Sequence, residues 1–199
     1  LGRVEKASKA FRIATDLKPN FADGYNNLGI TLRDQGKLEE ALEAYKKAIF
    51  IRPNFAQAYN NMGVALKDQG KLEDALKAYK EALEIKPEYA NAFNNMGNVL
   101  RQQDKLEDSL KAYKKALEIK PDYPNAYNNM GILLKETGNL EGAIESYRKA
   151  CEADTQYAAP YLNMGNIQKN NGDFHAAMES YRKAIAIQPD FAEAHNNMG

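Results

Sequence analysis

The stretch ADGYNNLGITLRDQGKLEEALEAYKKAIFIRPNF, residues 22–55, decides the fold, because closely similar stretches follow it at one fixed spacing. Its string Asn-Asn-(Leu or Met)-Gly begins at Asn26 and recurs at Asn60, Asn94, Asn128 and Asn196. The interval is 34 residues, or twice 34 before the last copy, where Leu162-Asn163-Met164-Gly165 fills the gap. A fixed period of this length is typical of stacked helical repeats.

Numbering the repeat from Ala22 as position 1 gives the domain organisation. The full repeats are 22–55, 56–89, 90–123, 124–157 and 158–191, with partial repeats at 1–21 and 192–199. The chain starts at Leu1 and opens and closes in mid-repeat, whereas stacked repeats normally end in polar capping repeats. We therefore expect a single repeat array over 1–199, cut from a longer protein.

Each repeat predicts two helices, for example Ala22–Gln35 and Lys37–Ile51. Gly36 lies between them, where a left-handed turn ends the first helix, and Pro53 cannot continue the second. In the first helix, positions 4, 7, 8 and 11 share one face. Position 8 is always glycine, which predicts a close approach to the second helix, where Ala41, Tyr45 and Ala48 form the matching seam.

Glycine at position 8, alanine at 20, an aromatic at 24, alanine at 27 and proline at 32 resemble the tetratricopeptide repeat (TPR) family over the whole chain. The resemblance implies an all-α fold, an α-solenoid of antiparallel helix pairs in a right-handed superhelix. It also implies that the first helices line a concave groove and that the groove binds a protein or peptide.

If positions 4, 7, 8 and 11 are buried, positions 2, 5, 6, 9 and 13 lie opposite them, with 12 at the edge. Position 5 is asparagine in every copy except Leu162, and position 6 is asparagine in every copy. The carboxamide of asparagine has donors and an acceptor for both the N–H and the C=O of an extended peptide. For the asparagines at position 5 we favour ligand binding. For those at position 6, ligand binding and a structural role between repeats are equal alternatives. The predicted ligand-binding residues of the groove are Asn26, Asn27, Asn60, Asn61, Asn94, Asn95, Asn98, Asn128, Asn129, Asn163 and Asn166, with the cations Arg33, Lys67, Arg101 and Lys135.

The asparagines at position 6 resemble the ladder in the TPR region of O-linked N-acetylglucosamine transferases, where such residues hold the target backbone. The matching residues are Asn27, Asn61, Asn95, Asn129, Asn163 and Asn197. The second row of asparagines, at position 5, departs from that pattern.

The sequence therefore predicts a scaffold that binds an extended peptide or protein segment in the groove. One alternative is the substrate-targeting TPR region of a larger enzyme, such as an O-linked glycosyltransferase. Another is self-assembly, in which Phe11 and Ala14 of one copy meet the Tyr181 side or residues 192–199 of a second copy, head to tail.

Composition excludes several classes of function. Lys+Arg and Asp+Glu are both 27, which argues against a nucleic-acid or anionic-membrane partner. One cysteine and two histidines offer no set of metal ligands, and no phosphate loop or nucleophile elbow is present. We expect no enzymatic activity of this chain, no cofactor and no metal. The lone Cys151 fits a reducing compartment, cytoplasmic or otherwise intracellular.

Overall fold

The computed structural model describes residues 2–198, which form twelve helices and no strand. In chain order they are α1 Gly2–Leu17, α2 Ala22–Asp34, α3 Leu38–Ile51, α4 Ala56–Asp68, α5 Leu72–Ile85, α6 Ala90–Gln102, α7 Leu106–Ile119, α8 Pro124–Glu136, α9 Leu140–Ala153, α10 Ala158–Asn170, α11 Phe174–Ile187 and α12 Ala192–Met198. The predicted all-α class is confirmed. No helix within residues 2–198 is long and apolar enough to cross a lipid bilayer.

The turn inside each full repeat has the predicted left-handed residue. Gly36 has φ 75°, and its amide donates to the carbonyl of Arg33 at 2.8 Å. In the third repeat Asp104 takes this place with φ 60°, a conformation that aspartate adopts more readily than most residues. The two helices of the hairpin, α2 and α3, are therefore one residue shorter at the turn than the sequence predicted.

The second helix of a repeat ends with a cation over an aromatic ring. The guanidinium of Arg52 lies 4.5 Å from the ring centroid of Phe55, and the ammonium of Lys86 lies 5.0 Å from that of Tyr89. Arg52 also donates to the carboxylate of Asp23 at 3.1 Å, and this hydrogen bond lowers the pKa of Asp23. The link joins the end of α3 to the start of α2.

Contacts divide the chain into two compact units, 1–104 with α1 to α6 and 105–199 with α7 to α12. The boundary falls at the turn of the third repeat, between α6 and α7. Within each unit, every complete hairpin packs its two helices together, and each first helix also contacts the second helix that precedes it in the chain. The prediction of a single array over 1–199 stays a prediction.

Within each unit, the core of a complete hairpin is the predicted aromatic against the predicted glycine. The position-24 tyrosines are at most 1% exposed: Tyr45, Tyr79, Tyr113, Tyr147 and Tyr181. A Cβ atom built on Gly63 would lie 2.6 Å from Cε1 of Tyr79, and one on Gly29 would lie 2.5 Å from Cε1 of Tyr45. Only glycine leaves room for the ring, so the predicted close approach is confirmed.

The first helices have more than the one buried face that the sequence predicted. Ala58 at position 3 and Ala65 at position 10 are fully buried, although neither position belongs to the predicted face. Tyr59 and Leu66, which do belong to it, are only half-buried. A first helix is buried along two flanks, because in each unit it packs on neighbouring first helices as well as on second helices.

Candidate functional site

The asparagines at position 5 lie on a buried flank and not on the open face. Their exposed fractions are 5–6%. The predicted placement in the groove is therefore wrong for Asn26, Asn60, Asn94 and Asn128. The prediction assumed a single buried face, whereas the asparagine at position 5 of α2, α4 and α8 is hydrogen-bonded to the neighbouring first helix of the same unit. Ligand binding by these four residues stays a prediction.

A buried asparagine of one repeat is paired with a half-buried asparagine of the next. Nδ2 of Asn61 donates to Oδ1 of Asn26 at 2.9 Å, and Nδ2 of Asn95 donates to Oδ1 of Asn60 at 3.0 Å. In the second unit Nδ2 of Asn163 donates to Oδ1 of Asn128 at 3.2 Å. Each bond joins position 6 to position 5 of the preceding repeat. The asparagine ladder is thus a chain of contacts between repeats, as the structural alternative for position 6 proposed.

Between α10 and α12, the last two first helices of the second unit, a different pair of residues forms the hydrogen bond between repeats. Leu162 stands at position 5 and is 4% exposed. Its aliphatic side chain has no hydrogen-bond acceptor. Nδ2 of Asn197 instead donates to Oδ1 of Asn166, at position 9, over 2.8 Å. The hydroxyl of Tyr181 donates to the same oxygen at 2.9 Å. Sequence reasoning missed this exchange, although Leu162 departs from the asparagine at position 5 of the other full repeats.

Tyr79 and Tyr181 should respond oppositely to loss of their hydroxyl groups. The hydroxyl of Tyr79 is buried without a hydrogen-bond partner among the described residues, and Val64 at position 9 packs against the cluster that contains Tyr79. We expect Tyr79→Phe to leave the melting temperature unchanged or to raise it, because an unsatisfied buried group is removed. Tyr181→Phe should cost about 1 kcal/mol, because it breaks a satisfied bond. Thermal unfolding followed by circular dichroism compares the two, and equal losses would contradict the assigned bonding.

The open face of the first helices is defined by positions 2, 6, 9 and 13. In α2 and α4, positions 6 and 9 are the half-buried Asn27, Ile30, Asn61 and Val64. The other predicted site residues at these positions, Asn95, Asn98, Asn129, Asn163 and Asn166, are also half-buried. On this face each of these first helices therefore presents a carboxamide at position 6, and in α2 and α4 an aliphatic side chain lies beside it.

Two of the predicted cations at position 12 are paired with the carboxylate that follows them in the sequence. Arg33 donates to Asp34 at 2.8 Å, and Nζ of Lys67 lies 3.2 Å from the carboxylate of Asp68. Arg33, Lys67 and Arg101 are half-buried, whereas Lys135 is exposed. Because Arg33 and Lys67 are each paired with a carboxylate, the first two full repeats have little net attraction for acidic segments.

Other reactive side chains do not converge on this face. Cys151 is 6% exposed, and burial raises the pKa of its thiol to about 11, which leaves little thiolate at neutral pH. His175 and His195 are both exposed, and Nε2 of His195 lies 2.9 Å from the carbonyl of Pro189. Among residues 2–198, no three His, Cys, Asp or Glu side chains are grouped closely enough to hold a metal ion.

Family models of two descriptions match the chain. "TPR repeat" matches residues 31–70, 65–104, 97–138, 133–172 and 169–199, and "Tetratricopeptide repeat" matches residues 10–43. No curated protein matches the sequence.

Several solved structures share the fold. YrrB, described as a TPR protein with an unusual peptide-binding site, is 27% identical, with a TM-score of 0.65 over 96% of this chain and 98% of that one. PilF of Pseudomonas aeruginosa is 24% identical, with a TM-score of 0.80 over 98% and 89% of the two chains. The Cut9–Hcn1 structure is 15% identical, with a TM-score of 0.85 over 99% of this chain and 39% of that one. The chain belongs to the tetratricopeptide repeat family.

Proposed function

We propose that this TPR scaffold binds an extended peptide or protein segment on the open face of its first helices and catalyses no reaction itself. The observation that supports the proposal is the row of half-buried carboxamides at position 6, of which Asn61 and Asn95 are held by a bond to the preceding repeat. A side chain held in one orientation loses little rotamer entropy when a ligand binds, so its hydrogen bonds contribute more fully to affinity.

The chemistry of the face suits peptide main chain better than a charged ligand. Asn61 uses one donor on Asn26, and its Oδ1 accepts from Nδ2 of Asn60 at 3.4 Å. Its second N–H and the second lone pair of Oδ1 remain for a ligand C=O or N–H. The nearby Arg33–Asp34 and Lys67–Asp68 pairs neutralise each other. YrrB, which shares the fold at 27% identity, is described as having a peptide-binding site.

A matched pair of variants tests this function. Asn61→Ala and Asn26→Ala remove the same hydrogen bond between repeats, but only Asn61→Ala removes a carboxamide from the open face. On an array of random 12-residue peptides, we expect Asn61→Ala to weaken binding about tenfold, the equivalent of about 1.4 kcal/mol. Asn26→Ala should stay within about threefold of the parent chain, because it loses only the anchoring of Asn61.

Three outcomes separate the roles of the ladder. A larger loss for Asn61→Ala at equal melting temperatures supports peptide binding by the open face. Equal losses of binding for both variants would assign the ladder to stability alone. If no peptide binds the parent chain, the proposed function is wrong. The substrate-targeting region of a larger enzyme and head-to-tail self-association remain separate predictions from the sequence.

A further inference from the structure

A cavity of about 490 Å³ lies among α9, α10 and α11 in the second unit. α10 contributes Tyr161, Met164 and Gln168, at positions 4, 7 and 11 of its repeat, and none of these positions belongs to the open face. Pockets that bind small molecules have volumes of about 300–1,000 Å³. The cavity is therefore large enough for a small ligand, and it is separate from the surface proposed for peptide binding.

The cavity is polar at two positions where equivalent crevices of the first unit are aliphatic. The crevices among α1, α2 and α3 and among α3, α4 and α5 are lined by leucine at position 11 and alanine at position 23, namely Leu32 with Ala44 and Leu66 with Ala78. In the cavity of the second unit, Gln168 and Ser180 occupy these two positions. At its edge, Thr155 replaces the proline found at position 32 of the other full repeats. Polar departures from the repeat thus converge on one cavity.

Gln168 and Ser180 are hydrogen-bonded to each other where they line the cavity. The hydroxyl of Ser180 donates to Oε1 of Gln168 at 2.7 Å. Ser180 is 7% exposed, and Gln168 is half-buried. Within the described part of the chain, Nε2 of Gln168 donates no hydrogen bond. Its two N–H groups and the second lone pair of Oε1 are therefore available to a ligand.

The charged residues of the cavity lie at its rim. Four of them line it, and all four are exposed: Arg148, Glu152, Glu179 and Lys183. The floor, formed by Met164, Gln168 and Ser180, is uncharged. A charged ligand seated on the floor would lose hydration without meeting an opposite charge there, which costs free energy. The cavity therefore favours an uncharged ligand that has both a hydrogen-bonding group and an apolar part.

We propose that this cavity binds a small uncharged molecule that carries a primary carboxamide. The ligand carbonyl accepts a hydrogen bond from Nε2 of Gln168, and the ligand N–H donates to Oε1 of the same residue, which gives a cyclic pair of hydrogen bonds. The hydroxyl of Ser180 holds the carboxamide of Gln168 in place, and the thioether of Met164 contacts the apolar part of the ligand. This site is independent of the peptide binding proposed for the open face.

Three planar ligands of the same shape test which group is recognised: benzamide, benzoate and benzamidinium, which are uncharged, anionic and cationic at neutral pH. Each is titrated into the isotope-labelled full chain, and the side-chain N–H resonances of Gln168 are followed by NMR. We expect benzamide to shift these resonances in a saturable way. Benzoate and benzamidinium should bind at least about fivefold more weakly, because their charge finds no partner on the floor.

A matched pair of variants tests the role of Gln168. Gln168→Leu gives position 11 the leucine of the other full repeats, so the fold should hold. Followed by the backbone amide of Ser180, this variant should bind benzamide at least about fivefold more weakly, because the cyclic pair of hydrogen bonds is lost. Gln188→Leu removes a carboxamide from an exposed residue that does not line the cavity, and it should leave the affinity for benzamide unchanged. Melting temperatures of both variants show whether the fold holds.

Several results would overturn the proposal. These are the absence of a saturable shift with benzamide, equal binding of the three ligands, and unchanged benzamide binding in Gln168→Leu at an unchanged melting temperature. Tighter binding of the peptide acetyl-Gly-Gln-Gly-methylamide than of benzamide would overturn the assignment to a small molecule, because the carboxamide would then come from a glutamine side chain. None of these results depends on whether the open face binds peptides.

Discussion

Gly63→Ala should lower the free energy of unfolding by about 2 kcal/mol, within the usual 1–3 kcal/mol range for overpacking. The added Cβ would lie 2.6 Å from Cε1 of Tyr79, whose ring is fully buried. Alanine gains about 1 kcal/mol of helix propensity over glycine, which offsets part of the clash. Chemical denaturation of the full chain, followed by circular dichroism at 222 nm, measures the difference.

Replacing Tyr79 with a smaller side chain tests whether its ring causes this loss of stability. In a Tyr79→Leu background the added methyl group no longer meets an aromatic edge, so Gly63→Ala should be neutral or stabilising there. The two substitutions should therefore show a coupling free energy of at least about 1 kcal/mol. Additive effects would show that Gly63 is required for some reason other than the ring of Tyr79.

Asn60→Leu should also destabilise the fold, by about 1–2 kcal/mol. Oδ1 of Asn60 accepts a hydrogen bond from Nδ2 of Asn95 at 3.0 Å, and leucine leaves that donor without its partner. The shape of the site is not the obstacle, because Leu162 occupies the equivalent position in α10 at 4% exposure. Thermal and chemical unfolding of the single variant give the size of the loss.

Adding Val64→Asn should restore most of that stability. In α10, Leu162 at position 5 is accompanied by Asn166 at position 9, which accepts from both Asn197 and the hydroxyl of Tyr181. Asparagine at position 64 would stand in the same relation to Asn95 and Tyr79. The pair Asn60→Leu and Val64→Asn should therefore be more stable than Asn60→Leu alone, and an equal or lower melting temperature would contradict the exchange of acceptors.

Local rules on each repeat were enough to predict the hairpins. The turn residue, for example Gly36, and Pro53 after the second helix are local signals for helix ends, and both helices of the repeat end near them. The contact of Gly29 with Tyr45 could also be predicted, because a glycine at every position 8 must face something large at close range. These features depend on residues within one repeat, which the sequence places together directly.

The sequence by itself therefore determined the all-α fold, the two helices of each repeat and the contact of glycine with tyrosine in the hairpins within each unit. Only the tertiary structure decided which asparagines are buried. A helical wheel separates one buried face from its opposite, but a helix within a stack loses solvent on two flanks, one against each neighbouring first helix. Asn60 lies on a covered flank and Asn61 on the edge of the open face, although they are adjacent in sequence. Their difference arises from contacts between repeats, which no single repeat contains.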